Sequence, residues 1–584
     1  TELSDEQIES LLYYSEGWFS AVYLNLRMYS EHGVLADRSS DISSIFTAAM
    51  IDPLPEKQRE FLAVMGLADE FTVEMAQDIM QTGDAAELLA ALTGQNAFVR
   101  RLPDGVTYRF HHMMKECALR VFLTLPQERR NDCRRRFGAW YEQHRQYLHA
   151  MQAYYQCGDY HALLRVVQQD AGILLSSLDP KNVLDFLDEC PEDTLKAHPA
   201  ALLVLMRSMF NWRNIPRMLA LRQLLLTAID EDKQRSAEER GNLLGECDLI
   251  MSFLCYNDIS AMSRLHRSAS AQMSRPAVSI QSSGGWTFGS PSVLMMFYRA
   301  PGELASELAE MDECMPHYYK ITGNHGQGAE TIMHAEAAFM QGRFTDAHIA
   351  LERAYAQIEG NGQENMALCC DFLARRLSLF TDIGQRAKLE KRRERLLAHH
   401  NVSWLNLWNA AAAYHHALLG STDSIPEAYR RHRLFTVRTL APGKPMIEMI
   451  ENQVYLAQGE YAHVIGRSEG LLTQCEAMHY ALVALHIRIQ TAAAYEMLGK
   501  HGEARALLER ALADAEPDGF ALPFAENFRY LEPLLIERLQ DGLTERIIRL
   551  GGLAGQRRAA AERPAVLAAL TERECAIVGL MTQR

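Results

Sequence analysis

The sequence lacks the features that identify membrane, secreted and disulfide-stabilised proteins. None of its windows contains the ~18 consecutive apolar residues of a membrane helix, and Thr1–Asp5 carries neither a basic region nor an apolar signal core. The eleven cysteines are odd in number and include no Cys-x-x-Cys pair, so they indicate neither a disulfide framework nor a zinc site. We therefore expect a cytoplasmic chain with reduced thiols and no membrane contact.

Motifs of common enzyme classes are absent as well. Pro442–Pro445 has the wrong spacing for a nucleotide-binding P-loop, and no Gly-x-Ser-x-Gly elbow occurs. Adjacent histidines on a helix diverge by about 100°, so these pairs do not readily chelate one metal: His111–His112, His399–His400 and His415–His416. His112 and Glu116 share a helix face, which more simply indicates packing. We predict that the chain is not an enzyme and holds no cofactor or metal of its own.

Positive charge is also in short supply. The chain has 59 basic and 74 acidic residues, which gives a formal net charge of −15. A dedicated nucleic-acid binder normally carries a basic excess. The basic runs Arg129–Arg136 and Lys388–Arg395 lie within helical patterns and more simply form solvated helix faces. Most of the chain is therefore not expected to contact DNA.

Residues 41–125 have the pattern of a winged helix. Helical stretches near 55–67 and 72–81 precede a third that opens with the capping pattern Asp84–Glu87. Two β-prone runs, 98–102 and 106–110, flank Pro-Asp-Gly and predict a β-hairpin. A winged helix either binds DNA or serves as a packing module. Because this stretch of sequence has no basic recognition helix, we favour the role of a packing module.

From residue 126 onward the sequence is helical and repetitive. Marker glycines lie 42, 36, 39 and 40 residues apart, at Gly342, Gly384, Gly420, Gly459 and Gly499. After Gly342, an aromatic residue follows at +2 and small or apolar residues at +5, +9 and +12. This spacing ends one helix at a glycine and buries one face of the next. We predict a mostly α fold, in which a winged-helix module with a small β-hairpin precedes a superhelix of tetratricopeptide-like repeats.

One segment of the predicted repeats differs from the rest. Residues 276–291 are small, polar and turn-prone but contain two aromatic side chains. A loop of this kind within a solenoid often lines a concave binding surface. The candidate effector pocket comprises Trp286, Phe288, Tyr298, Tyr318, Tyr319, His325 and Glu330. The alternative is that these aromatic side chains only fill the core beneath an irregular loop.

The last fifteen residues begin as a DNA-binding motif. Thr571 and Glu574 form a capping box, and Ile577, Leu580 and Met581 then share one helical face. The stretch from Leu570, including Arg573, resembles the first helix of a LuxR-type helix-turn-helix. The chain ends before a turn or recognition helix, and we expect it to be a piece of a longer regulator.

Further motifs resemble the large ATP-dependent LuxR-type regulators of the STAND class. Ser15–Trp18 resembles the end of their NTPase module. Tyr108–His112 and 96–98 resemble parts of their winged-helix domain. The order of these motifs, followed by helical repeats and the Leu570 motif, strengthens the resemblance. It implies the following division: 1–40 as the helical end of the NTPase module, 41–125 as the winged-helix arm, 126–550 as the repeat sensor, 551–569 as a linker and 570–584 as the start of the helix-turn-helix.

The resemblance implies a signal-sensing and coupling function. The parent protein would bind ATP or ADP, respond to a small-molecule or protein effector, self-associate and bind promoter DNA through its complete helix-turn-helix. This chain lacks the P-loop and the recognition helix, so it would neither hydrolyse ATP nor recognise DNA alone. The alternative is a freestanding tetratricopeptide-like scaffold that binds a partner protein.

Overall fold

The computed structural model describes residues 51–561 apart from 95–98, 111, 173, 176–177, 283, 382–385, 399–401, 435–439 and 539–541, together with residues 3–4, 6–9, 11, 22–23, 26–27, 29–30 and 47. Contacts between residues divide the chain into two units. The first comprises Thr1–Asp170 and Asp188–Cys190, and the second comprises Ala171–Leu187 and Pro191–Arg584. No helix among the described residues is both long and apolar enough to cross a bilayer.

The first unit contains a winged helix and the helices that follow it. Its elements are α1 (Glu56–Met65), β1 (Phe71–Thr72), α2 (Val73–Met80), α3 (Ala85–Gly94), β2 (Val99–Arg101), β3 (Thr107–Phe110), α4 (His112–Thr124), α5 (Gln127–Gln143), α6 (Tyr147–Gln156) and α7 (Tyr160–Asp170). The strands form one antiparallel sheet in the order β1–β3–β2. The helices and the hairpin confirm the winged-helix prediction. Strand β1 is an addition that the sequence patterns did not indicate.

The turn of the hairpin is stabilised by Asp104 and Gly105. The Asp104 carboxylate accepts hydrogen bonds from the backbone N–H groups of the two residues after Gly105, each at 3.0 Å. Gly105 has a φ of 73°, a left-handed conformation that glycine adopts without a Cβ clash. Across the ladder, Val99 lies opposite Phe110, and both side chains are buried. The turn therefore sets the register that points these apolar residues inward.

The apolar core of the first unit extends past the winged helix. Phe71 of β1 stacks on Phe110 of β3, with 5.2 Å between ring centroids. Phe137 and Trp140 of α5 belong to the same core. The first unit, which continues to Asp170, therefore includes α5 as a contributor to the winged-helix core.

Arginines of α5 are paired with carboxylates. Three of these ion pairs have N–O distances between 2.5 and 3.1 Å: Arg129 with Glu60, Arg135 with Asp159 and Arg136 with Asp132. Their charges are thus balanced within the same unit. This agrees with the solvated helix face that the sequence predicts for this basic run.

Helices make up the second unit throughout. They are α8 (Pro180–Glu189), α9 (Glu192–Lys196), α10 (Pro199–Asn211), α11 (Ile215–Glu231), α12 (Ala237–Met251), α13 (Ile259–Gln272), α14 (Val293–Phe297), α15 (Leu304–Thr322), α16 (Ala329–Met340), α17 (Phe344–Glu359), α18 (Glu364–Leu377), α19 (Arg386–Ala398), α20 (Val402–Leu419), α21 (Glu427–Arg430), α22 (Lys444–Gln458), α23 (Tyr461–Ala477), α24 (Ala481–Met497), α25 (His501–Ala515), α26 (Leu522–Glu526), α27 (Phe528–Glu537) and α28 (Gly542–Ala561).

These helices pack as a repeat array. Consecutive helices pair, as α16 does with α17 and α24 with α25. Alternate helices also contact one another in series, from α16 through α18, α20 and α22 to α24. We call these five the inner helices. Most of their side chains are buried, whereas α17, α23 and α25 bury one face only. The predicted architecture of tetratricopeptide-like helical repeats is confirmed.

The marker glycines follow the ends of inner helices. Four of them have φ angles between 72° and 81°: Gly342, Gly420, Gly459 and Gly499. The residues at +5, +9 and +12 after Gly342 and after Gly499 are all buried, as the spacing predicts. Gly384 lies outside the described residues. A Cβ on Gly342 would come within 2.9 Å of a methyl carbon of Leu550 in α28, so this turn also needs glycine for close packing.

Two elements near the C-terminus depart from the regular pattern. The short helix α26 is fully buried and contacts the inner helices α16 and α24. Helix α28 runs to Ala561 and so includes the first part of the linker predicted at 551–569. It packs on α26 and α27. These helices attach the end of the described chain to the repeat array.

Candidate effector site

Buried polar side chains hold the aromatic loop at both ends. The carboxylate of Glu246 in α12 accepts hydrogen bonds from the backbone of Val278 and Ser279, each at 3.0 Å. Asn365 of α18 accepts one from the backbone N–H of Trp286 at 2.8 Å. A buried carboxylate or amide oxygen that receives backbone donors costs little, because its hydrogen bonds replace those with water. The loop is thus fastened to two separate helices.

Trp286 is covered by protein atoms. Its ring lies 5.3 Å from the ring of Phe297, and 7% of the residue is exposed. A Cβ on Gly326 would lie 2.3 Å from the indole carbon Cδ1. Gly326 therefore provides the backbone surface against which the indole packs. The described arrangement leaves no free indole face beside this glycine for a ligand.

Tyr318 and His325 form a buried pair. The Tyr318 hydroxyl and His325 Nδ1 are 2.7 Å apart, and His325 Nε2 lies 3.3 Å from the Gly284 carbonyl oxygen. Burial, together with the nearby charge of Arg207, lowers the pKa of His325 to about 3. The imidazole is therefore neutral near pH 7. It can donate from one ring nitrogen and accept at the other.

Tyr319 and Glu330 lie beside this pair and bond to each other. The Tyr319 hydroxyl donates to Glu330 Oε2 at 2.5 Å and lies 3.2 Å from the Gly326 carbonyl oxygen. Burial, reinforced by the Glu330 charge, raises the pKa of Tyr319. The phenol remains protonated and donates to the carboxylate. The polar atoms proposed for ligand contact are already used within the protein.

Phe288 and Tyr298 have other neighbours. The Phe288 ring packs edge-on against Phe210 and Phe253, at 5.4 and 5.5 Å. The Tyr298 hydroxyl donates to Asp518 at 2.5 Å, and its ring lies 5.1 Å from Phe520. These two aromatic side chains therefore pack against groups other than those that surround Trp286 and Tyr318. They fasten the loop and the following helix to different parts of the second unit.

The seven predicted residues thus form a packed cluster and two separate anchors. Trp286, Tyr318, Tyr319, His325 and Glu330 lie close together. Their contacts match the alternative in which the aromatic side chains fill the core under the loop. Effector binding there stays a prediction, and it would require the cluster to open.

Other predicted residues lie outside the described part of the chain. They include Ser15–Trp18, residues 96–98 and the helix-turn-helix residues Leu570, Thr571, Arg573 and Glu574. The side chain of His112 also lies outside it. Within the described residues, no group of three or more His, Cys, Asp or Glu side chains is placed to hold a metal ion.

A buried charged cluster that the sequence patterns did not indicate lies among the inner helices. Arg376 of α18 forms two hydrogen bonds with the carboxylate of Glu526 in α26, at 2.7 and 3.0 Å. The Tyr414 hydroxyl of α20 donates to the same carboxylate at 2.9 Å. Burial is the largest influence on the pKa of Arg376 and lowers it, but the charge of Glu526, its hydrogen bonds and the nearby Tyr414 and Glu336 together raise the pKa above its usual value. The guanidinium therefore stays charged.

Aromatic rings surround the guanidinium of Arg376. Its central carbon lies 4.9 Å from the ring centre of Phe339, 5.4 Å from Phe372 and 5.6 Å from Tyr414. A cation over aromatic faces is attracted to their negative π-surface. The adjacent arginines at 375–376, which follow the apolar residues Phe372–Ala374 in α18, are the sequence signal that could have identified this cluster.

Buried amides continue the cluster along the inner helices. The side chain of Gln453 donates to Asn527 at 2.9 Å and accepts from Gln490 at 3.0 Å. His486 lies one helical turn before Gln490 and is fully buried, with no hydrogen-bond partner for either ring nitrogen among the described residues. Burial holds the pKa of His486 well below its usual range. The polar groups therefore extend from α18 to α24.

A small pocket adjoins the charged cluster. It is lined by Leu379, Phe380, Leu418, Leu419, Glu526, Ala554 and Arg558. The pocket brings the buried carboxylate of α26 next to side chains of α28. Its walls are mainly apolar.

Comparisons with known proteins identify the first domain. Residues 47–130 match the MalT winged helix domain family. No curated protein matches the chain in sequence. A solved structure from Pyrococcus horikoshii, a STAND protein (signal transduction ATPase with numerous domains) with a tetratricopeptide repeat sensor, is 11% identical and aligns over 97% of this chain and 73% of its own. Its TM-score is 0.29, so no property of this chain follows from that likeness.

Proposed function

We propose that this chain is the signal-sensing and coupling region of a LuxR-family transcriptional regulator. The observation that carries the proposal is the order of its parts. A segment that matches the MalT winged helix domain is followed directly by an array of tetratricopeptide-like repeats. The opening of a LuxR-type helix-turn-helix at Leu570 supports the same assignment from sequence.

In this proposal the repeat array receives the signal. Each repeat contacts mainly its neighbours, so a ligand that bridges several inner helices changes their relative stability. Such a ligand binds two arrangements of the repeat array with different affinities. The population shifts toward the arrangement that it binds more tightly, to an extent set by the difference in affinity. The effector is a small molecule or a protein. The shift would control a DNA-binding domain beyond Leu570, and ATP or ADP would bind elsewhere in a cytoplasmic, self-associating parent protein. The chain itself catalyses no reaction.

Transcript profiles test the regulatory role. We would delete the encoding gene and restore either the wild-type gene or a Thr571→Ala, Glu574→Ala variant, which loses the predicted capping box. A regulator predicts that a defined set of transcripts changes on deletion, returns with the wild-type gene and returns only in part with the variant. Unchanged transcripts together with a stably co-purifying protein would instead favour the freestanding scaffold.

The gene itself supplies an independent check. The proposal predicts a P-loop encoded upstream of Thr1 and the remainder of a helix-turn-helix encoded downstream of Arg584. A coding sequence that contains neither would reject the proposal.

Thermal-shift measurements test the effector site. The purified chain would be screened against sugars, amino acids and nucleotides. A ligand at about 100 times its Kd adds roughly 2.7 kcal/mol of stability and raises the Tm by a few degrees. If the predicted pocket binds it, Trp286→Phe and Tyr319→Phe should lose the shift, whereas Tyr480→Phe, a buried tyrosine outside the cluster, should keep it. An equal shift in all three variants would reject the aromatic site.

A further inference from the structure

Ten residues near the C-terminus lie among the inner helices of the repeat array. We call Asp518–Asn527, which includes α26, the inner segment. Every residue from Phe520 to Asn527 is buried. A segment that ends a repeat array normally caps its last repeat with a polar outer face. This one instead contacts helices along the whole series from α16 to α24.

The first end of the inner segment is held by a carboxylate. Asp518 accepts hydrogen bonds from the Tyr298 hydroxyl at 2.5 Å and from the backbone N–H groups of Gly302 and Leu304 at 2.6 and 3.2 Å. The backbone N–H of Ala521 then donates to the carbonyl oxygen at the end of α16, at 2.9 Å. These bonds join the segment to α16 and to the residues before α15.

Polar groups also hold the second end. Glu526 binds Arg376 of α18 and Tyr414 of α20, and Asn527 accepts from Gln453 of α22. Gln453 in turn accepts from Gln490 of α24. Each inner helix from α18 to α24 therefore contributes a polar side chain to the recognition of two adjacent residues.

These contacts have the character of ligand recognition. A buried arginine–carboxylate pair adds little net stability compared with apolar residues of similar volume, because both charges lose their hydration. Its geometry instead specifies one partner, since the planar guanidinium fits a carboxylate through two parallel bonds. The polar side chains of the inner helices thus recognise a carboxylate side chain that is followed in sequence by an amide side chain.

The inner segment is also connected to the last described helix. A Cβ on Gly551 of α28 would lie 2.2 Å from the ring of Phe528, which directly follows the segment. Leu550 of α28 meets the turn at Gly342, close to Leu522 of the segment. Helix α28 therefore cannot keep its position if the segment leaves.

We propose that the inner segment is a built-in ligand of the repeat array, held by a latch between Glu526 and Arg376. Its release exposes a surface on the inner helices that binds an acidic peptide segment of the same kind, and it frees α28. The role of the latch in regulating a transcription factor rests on the proposed function. The latch itself does not depend on that function. An effector that breaks the latch would transmit its signal through α28.

Hydrogen exchange on the full chain, followed by mass spectrometry, tests the latch. Glu526→Gln keeps the shape of the side chain but removes the charge that pairs with Arg376. Exchange across 518–561 should then accelerate at least about tenfold, while exchange in α16–α25 and in residues 51–170 changes far less. Arg376→Lys, which keeps the charge but loses the two parallel bonds, should give the same pattern more weakly.

A partly exposed ion pair in the same unit is the control, with 18% and 29% of its side chains exposed. Arg488 of α24 pairs with Asp514 of α25 at 2.7 Å but does not touch the inner segment. Arg488→Gln should leave exchange across 518–561 unchanged. If both latch variants instead accelerate exchange uniformly from α16 to α28, or not at all, the inner segment is ordinary core and the proposal is overturned.

A peptide tests the surface directly. A synthetic peptide of residues 516–530 should bind the Glu526→Gln chain, and the same peptide with Gln at position 526 should bind at least about tenfold more weakly. Equal binding of both peptides, or binding of neither, would overturn the recognition surface. None of these measurements depends on transcription, so they can fail while the proposed function stands.

Discussion

The two units of the chain place their ion pairs in different surroundings. In the first unit Arg109 pairs with Glu70 at the surface, where 44% and 42% of the two side chains are exposed. In the second unit Arg392 pairs with Asp371 in the interior, where 3% and 1% are exposed. The Arg109–Glu70 pair lies outside the apolar core of the first unit. The second unit contains charges that are stable only while their partners stay in place, so its packing depends on specific contacts.

The largest effect in this comparison is expected from the interior pair. Arg392→Met removes the cation that lies 2.5 Å from Asp371 and leaves the buried carboxylate with only its bond from Tyr355 and the nearby charge of Arg375. The free energy of unfolding of the second unit should fall by about 3–5 kcal/mol. Chemical denaturation measures the loss. The double variant Arg392→Met, Asp371→Asn should recover most of it, and no recovery would show that packing rather than charge is responsible.

A buried carboxylate should make the second unit sensitive to pH. Burial raises the pKa of Glu336 to about 7, although bonds from the backbone of Leu294 and the charge of Arg376 oppose the shift. Because the folded pKa lies above the unfolded value near 4.5, the stabilisation is complete below about pH 4.5. As the pH rises to about 7, this contribution is lost and the free energy of unfolding falls by about 3 kcal/mol.

Substitution of this carboxylate tests the pH effect. Glu336→Gln should make the decline in stability between pH 4.5 and 7 smaller by about 3 kcal/mol, since the amide oxygen still accepts from Leu294. Burial also raises the pKa of Glu307 to about 7, so the share of that carboxyl should remain. Urea unfolding at a series of pH values measures the difference from the wild type. Glu503→Gln, an exposed change on α25, is the control and should keep the full decline. A decline in Glu336→Gln as large as that of the wild type would contradict the assignment.

A smaller effect is expected at the packed aromatic loop. Gly326 has a φ of 72° and contacts the indole of Trp286, so Gly326→Ala introduces both backbone strain and a clash. The expected loss is about 2 kcal/mol. It is measured by thermal denaturation together with Trp286 fluorescence. Gly360→Ala, at a position with open space and an ordinary helical conformation, should cost far less.

The smallest effect is expected at the surface of the first unit. Arg109→Gln removes the exposed pair with Glu70 and should cost less than about 1 kcal/mol, with the difference vanishing at high salt. Denaturation of the first unit at low and high ionic strength measures it. A loss as large as that of Arg392→Met would abolish the contrast between the two units.

The parts of the fold that could be predicted from sequence are those set by local chemistry. Asp104 and Gly105 specify the hairpin turn through bonds within a few residues. The glycine at position 342 and the small residues after it specify one helical pair. Strand β1 was not predictable, because two residues become a strand only through their partner strand β3.

The candidate site was less predictable because its contacts are distant in sequence. Composition could place Trp286 and Tyr318 near one loop. It could not show whether their rings contact a ligand or pack against other side chains of the protein. The pair of Arg376 and Glu526 spans 150 residues. No pattern within one helix reports a partner so far away, and α26 has only five residues of its own.

The bond between Tyr298 and Asp518 has a consequence for biosynthesis. The two residues are 220 positions apart. A ribosome that adds about 5–20 residues per second needs roughly 10–40 seconds to cover that distance. During this interval the inner helices emerge one after another without the inner segment, and the apolar and charged groups that later enclose α26 face solvent until the segment is made. The emerging chain is therefore expected to need chaperone protection in the middle of translation, well before its last helix is made.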